Sequence, residues 1–207
     1  MDEFPSSALI LLAAGSSRRM GQMKQLLPIN DRPMLRRAAE AAVASGIGAV
    51  IVVLGANAGE VRPCLTGLAV HIVVNEGWEE GMGSSVRVGM KALDSLPIHP
   101  GSVIVALADQ PNISASHVTR LIDAHRKTNK SIVASRHEGK LMPPVFFSET
   151  HFPSLQAMQG DVGARELLKA NAHEVFAVES GDLGDLDTIA DYENFLKKGP
   201  EAGSASE

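Results

Sequence analysis

Residues 9–27 read LILLAAGSSRRMGQMKQLL, and this stretch decides the fold. The apolar run Ala8 to Leu12 stops at a small-residue corner, Ala13-Ala14-Gly15, and a polar, basic segment follows. Such an abrupt change predicts a buried strand feeding a loop. Gly15 and Gly21 let backbone N–H groups turn toward an anion, while Arg18, Arg19 and Lys24 supply full positive charges. The loop is therefore suited to holding phosphates. It is not a Walker loop, because no Gly-Lys-Ser/Thr follows the first Gly at the required spacing, and it lacks G-x-G-x-x-G. On charge alone, a solvated basic turn is the competing reading.

Composition narrows the choice. A chain of 207 residues with 44% hydrophobic content can bury one sizeable α/β core. Its formal net charge of −5 disfavours nucleic acid, so the basic patch at residues 18–24 points to a small anionic ligand. The single cysteine, Cys64, excludes an intrachain disulfide framework and suits a reducing compartment. The opening MDEFPSS is no signal peptide, and no apolar run approaches membrane-spanning length. A cytoplasmic protein without membrane attachment is expected.

Further apolar runs follow at 49–54 (AVIVVL), 69–74 (AVHIVV) and 103–108 (VIVALA), with shorter ones at 132–134, 145–147 and 175–178. Helical spacing connects them: Pro33 as a first helical residue, then Leu35, Ala38 and Ala42. A helix over 84–93 follows, another capped by Ser114, one opening at Asp161 and a last one opening at Thr188. Asn57 starts a helix that Pro63 should shorten. This alternation predicts a mostly parallel sheet covered on both faces. The domain is expected over residues 1–198, with 199–207 a disordered tail.

In open parallel sheets, ligands sit beyond the carboxyl ends of the strands. If the first and fourth strands are neighbours, Asp109 faces the phosphate loop, and Mg²⁺ is the natural bridge between a carboxylate and phosphates. An isolated Asp-x-Pro would otherwise read as an Asx turn. Thr188 and Asp191 read as a capping box, a structural role.

The whole 9–27 string resembles the signature loop LAAGxSxRMGxxKxLL of the molybdenum cofactor cytidylyltransferase family, MobA-like NTP transferases of the GT-A type. LADQP at 107–111 is similar to that family's LADQP, and DLDTIAD at 185–191 to its DIDTPED. Gly81 to Val86 resembles its GMxxSL, and Gly160 to Arg165 its GDxGAR. The resemblance implies a three-layer α/β/α Rossmann-like nucleotidyltransferase fold with a mostly parallel mixed sheet. It implies nucleotide contacts from Ala13, Ala14, Gly15, Ser16, Ser17, Arg19, Gly21, Gly83, Ser84 and Ser85. Catalytic roles fall to Lys24, Asp109 and Arg18, and Mg²⁺ ligation to Asp109 and Asp187, with Asp185 the weaker candidate. LAAG rather than LAGG is similar to the cytidylyl branch, which implies CTP, or failing that another nucleoside triphosphate.

The implied acceptor is molybdenum-bearing molybdopterin, with a molybdenum hydroxylase receiving the product. One departure stands out. The family's Arg-Gly-His-Pro before the Pro-Val-Leu-Phe strand is replaced by Gly139-Lys140-Leu141-Met142-Pro143. Lys140, Asp161 and Arg165 are then the expected acceptor contacts. Transfer to a sugar or polyol phosphate, or cofactor delivery without catalysis, are the alternatives.

Overall fold

The computed structural model describes residues 6–17, 20–97, 99–161 and 164–199. The chain opens with β1 (Ser7–Ala13), then a two-strand arm, β2 (Pro28–Ile29) and β3 (Arg32–Pro33), and helix α1 (Met34–Ala44). It continues through β4 (Ala49–Leu54), α2 (Ala58–Val61), β5 (His71–Val74), α3 (Met82–Asp94) and β6 (Ser102–Leu107). Next come α4 (Ala115–Thr128), β7 (Ile132–His137), β8 (Lys140–Ser148), α5 (Phe152–Gln156), α6 (Ala164–Ala170), β9 (Val175–Glu179) and α7 (Ile189–Lys198).

Seven of the strands form one sheet in the order β5-β4-β1-β6-β8-β7-β9. β1 pairs in parallel with both β4 and β6, so the first and fourth strands of the sequence reading are neighbours. Only β8 runs against its two partners. The sheet is thus mixed but mostly parallel, as expected. The alternation of strand and helix is corrected at two places, the β2–β3 arm after β1 and the hairpin of β7 and β8. Two prolines in β8 obscure its strand character in the sequence.

Alternate residues of β1 serve opposite faces, which is why its apolar run is continuous. Leu9 and Leu11 join Leu35 and Ala38 of α1 and Val118 and Leu121 of α4. Ile10 and Leu12 join Val86 and Met90 of α3 on the other face. Helix α3 lies very close to the sheet: a Cβ on Gly89 would stand 2.5 Å from Ile10 Cγ2. A third cluster, Met20, Leu27, Ile29, Met34, Leu186 and Phe195, fastens α7 over the β2–β3 arm.

The local signals read as caps are mostly caps. Ser114 accepts from the His117 N–H, and Thr188 and Asp191 form a reciprocal capping box. Pro63 ends α2 in a 3-10 turn. Pro33 is corrected to the residue before α1, because it pairs with Pro28 in the small arm. Likewise Asp161 lies in a turn, and the described helix starts at Ala164. Residues 200–207 of the expected tail lie outside the described residues. Among the described residues no helix is long and apolar enough to cross a membrane.

Candidate active site

The parallel strands deliver Gly15, Gly55, Asn75 and Asp109 to one edge of the sheet. A cleft of about 390 Å³ opens there, lined by Ala13, Ala14, Gly15 and Lys24 on one side and by Trp78, Met82 and Ser85 on another. Its floor carries Asp109, Asp161, Asp185 and Asp187. This volume is within the range of small-molecule sites.

Gln25 organises the loop after β1. It is 3% exposed, and its Nε2 donates to Ala13 O (3.2 Å) and Gly15 O (2.7 Å). Its Oε1 accepts from Ser17 Oγ (3.1 Å), which itself accepts from the Lys24 N–H (3.1 Å). Ser17 takes up the left-handed backbone region (φ 55°), which closes the turn. One buried amide therefore ties together both ends of the phosphate-type loop. Sequence reading missed it, because a Gln inside a polar run carries no local mark. Arg18 and Arg19, expected to face the phosphates, lie outside the described residues.

Lys24 sits at the start of a 3-10 turn, Lys24–Leu26. Its ammonium makes a hydrogen-bonded ion pair with Asp109 and lies 3.4 Å from Asp187 Oδ1. Burial pulls the ammonium's pKa down, but Asp109 and then Asp187 outweigh it and hold Lys24 above its ordinary range. Asp185 behaves oppositely. Desolvation in the cleft, then the charge of Asp109, pushes its carboxyl up to about 6.

Asp187 is far along the chain, and the LADQPN segment puts it in place. Leu186 N–H donates to Asp109 O (3.0 Å), Gln110 Nε2 to Leu183 O (3.1 Å) and Asn112 Nδ2 to Asp182 O (2.7 Å). Gln110 is fully buried, so it is a brace between two segments. The sequence showed only the Asp of this motif as chemical.

Asp109 Oδ1 is buried without a hydrogen-bond partner, while Oδ2 is held by Lys24. An orphaned carboxylate oxygen beside a second carboxylate is a donor set suited to a hard cation. Among the described residues, no group of three or more His, Cys, Asp or Glu could hold a metal ion. The orphaned Asp109 oxygen with Asp187 nearby is a set that Mg²⁺ could share with substrate phosphates.

The other expected nucleotide contacts divide. Ser85, 4% exposed and accepting from Asn75 Nδ2 (3.0 Å), still lines the cleft, whereas Ser84, 3% exposed, is engaged within the protein. It accepts from Asn75 Nδ2 (2.7 Å), and Gly77 O (3.2 Å) and Gly81 O (2.8 Å) lie within reach of its proton. Gly83 serves close packing, since a Cβ there would lie 3.0 Å from the Gln159 backbone. Gly81 (φ 117°) packs likewise against Gly160, so the 78–83 wall and the 159–161 turn are in direct contact. Ser16, Ser17 and Gly21 are not among the residues lining the cleft.

A second cavity, of about 550 Å³, adjoins the first. Met82, Leu107, Asp161 and Asp185 border both. Leu141, Met142 and Pro143 of β8 and Ala164, Arg165 and Leu168 of α6 form its far walls. Arg165 and Asp161 thus lie where an acceptor pocket was expected, while exposed Lys140 is at the hairpin tip outside the lining.

Residues 9–175 match the MobA-like NTP transferase domain. The chain belongs to that family. PucB, the purine catabolism protein of Bacillus subtilis (strain 168), is 32% identical over 197 residues, spanning 89% of this chain and 93% of PucB. Nicotine blue oxidoreductase of Paenarthrobacter nicotinovorans is 32% identical over 197 residues, spanning 90% and 95%. Rv0371c of Mycobacterium tuberculosis H37Rv superposes with a TM-score of 0.82 at 31% identity, covering 93% of this chain and 98% of that one. A structure of that mycobacterial protein in complex with manganese superposes at 0.77 and 29% identity, over 93% and 98% of the two chains. The family membership is thus supported by sequence and by fold alike.

Proposed function

We propose that this protein transfers a nucleoside monophosphate, CMP from CTP, to the terminal phosphate of molybdenum-bearing molybdopterin. The observation that carries this reading is the pair of adjoining cavities that meet at Asp161 and Asp185, beside Lys24, Asp109 and Asp187. A transferase needs a donor and an acceptor side by side, and a single-substrate site does not.

In the proposed reaction an acceptor phosphate oxygen bonds to the α-phosphorus as the bond from that phosphorus to the bridging oxygen of pyrophosphate breaks. A phosphate monoester is largely ionised at neutral pH, with a second pKa of about 6, so no side chain has to remove a proton from it. The chain's task reduces to positioning and charge. Lys24 and the N–H groups of the 13–17 loop hold the triphosphate, and Trp78 and Met82 wall its nucleoside end. Asp109 and Asp187 would hold Mg²⁺, which neutralises triphosphate charge when bound. The manganese complex of the M. tuberculosis relative supports a divalent-cation site in this fold. Arg165 is the cation available to the acceptor in the second cavity.

The two curated relatives bear dissimilar names, so the acceptor assignment rests on this chain's motifs and not on theirs. The absence of the family's Arg and His before Pro143 favours one alternative, delivery of the cofactor without transfer. Incubation with each labelled triphosphate, Mg²⁺ and molybdenum-loaded molybdopterin separates the two. Pyrophosphate release with CTP is expected. Acceptor binding without pyrophosphate from any triphosphate would establish delivery instead.

A further inference from the structure

Strands β7 and β8 pair residue for residue from Ile132↔Phe147 to Ala134↔Val145, and the next pair is Ser135↔Met142. One step along β7 thus meets three along β8, which leaves Pro143 and Pro144 without partners. Neither proline has an N–H for the ladder, so a bulge is the arrangement that a strand can tolerate there. Pro143 within the bulge, and Leu141 and Met142 beyond it, line the second cavity.

A buried polar chain reaches this bulge from helix α4. Ser135 is fully buried, and its hydroxyl donates to Pro144 O (2.7 Å). That uses its one proton, so the 2.8 Å contact with His117 Nε2 requires the imidazole to be the donor. His117 is 5% exposed, and its backbone N–H is held by the Ser114 cap (3.2 Å). Burial, helped by Arg120, lowers its pKa to about 4, in keeping with a neutral ring. A His-Ser pair in an apolar layer carries a desolvation penalty that two aliphatic side chains would avoid. Nothing in the transfer chemistry uses it.

We infer that His117 and Ser135 are positioning residues that pin the Pro143–Pro144 bulge and thereby fix the wall of the second cavity. The assignment of that wall to the acceptor rests on the function proposed above; the pinning itself does not. No residue of β7 or β8 lines the nucleotide cleft, so the effect is confined to one substrate.

Three variants test it: Ser135→Ala, His117→Phe, which keeps a ring without a donor, and His117→Gln, which keeps a donor. Hydrogen exchange of the 140–142 segment is expected to rise in the first two and to return toward wild type in His117→Gln. The acceptor KM is expected to rise roughly three- to tenfold in the first two, the size of one hydrogen bond, with nucleotide affinity unchanged. Unchanged exchange at 140–142 overturns the pinning. Equal losses for both substrates overturn its confinement to the second cavity. If wild type transfers to no molybdopterin, the acceptor assignment fails on that result, and the exchange data still decide the pinning.

Discussion

Gln25→Ala removes the amide that braces the loop after β1. Its three hydrogen bonds, to Ala13 O, Gly15 O and Ser17 Oγ, are each worth about 0.5–1.5 kcal/mol net. Gly15 O is only part-buried beside the open cleft and can be rehydrated, which keeps the loss toward the lower half of the sum, about 2 kcal/mol of stability. The effect on ligand is separate. An unbraced loop must be ordered at binding, at about 1–2 kcal/mol per residue fixed. One residue's worth weakens triphosphate affinity roughly five- to thirtyfold. Urea unfolding measures the first quantity. Fluorescence of Trp78, the chain's single tryptophan and part of the cleft wall, measures the second during a CTP titration. A loss of stability with affinity within about twofold of wild type would refute the bracing role and leave Gln25 an ordinary buried polar residue.

Lys24→Ala leaves the Asp109 and Asp187 carboxylates without their ammonium. Loss of a charge-assisted contact worth about 1.5–3 kcal/mol is expected to weaken triphosphate binding roughly ten- to a hundredfold, and unchanged calorimetry would make the lysine structural. Arg165→Ala is expected to raise the acceptor KM roughly fivefold while Lys140→Ala leaves it unchanged, because only Arg165 lines the second cavity; equal effects would relocate the pocket. His117 has a folded-state pKa of about 4, below the ordinary 6.5. The unfolded chain therefore binds the proton first as pH falls, and stability present above about pH 6.5 is lost toward pH 4, by about 3 kcal/mol. Asp185, whose carboxyl is raised to about 6, contributes the opposite slope over this range in both proteins, so the His117 contribution is read as the difference between wild type and His117→Gln in urea unfolding across those pH values.

Much of this architecture is legible in the sequence because β1, β4 and β6 are buried on both faces. Each therefore reads as an unbroken apolar run. The ends of those runs locate Gly15 and Asp109, and the Thr188–Asp191 box is local enough to be read directly. What escapes is side-chain commitment. Ser84 has the composition of a ligand contact, yet Asn75 and two carbonyls surround its hydroxyl. Gln25 and Gln110 look like surface residues until the strands bring their partners within reach. Asp185 and Asp187 are two apart in sequence, and only the folded loop shows that Asp185 borders both cavities. The β7–β8 hairpin is masked because Pro143 and Pro144 signal a break where a bulge suffices.

The central claim is transfer of a nucleoside monophosphate at the Lys24–Asp109–Asp187 site. It is tested most directly by mixing the protein with CTP labelled at its α-phosphate, Mg²⁺ and molybdenum-loaded molybdopterin, then locating the label. The expected result is label on the acceptor, matched one for one by pyrophosphate. In Asp109→Asn, which keeps the shape but removes the charge, transfer should fall at least about a hundredfold. Label that stays in CTP with wild type, or transfer by Asp109→Asn at the wild-type rate, would contradict it.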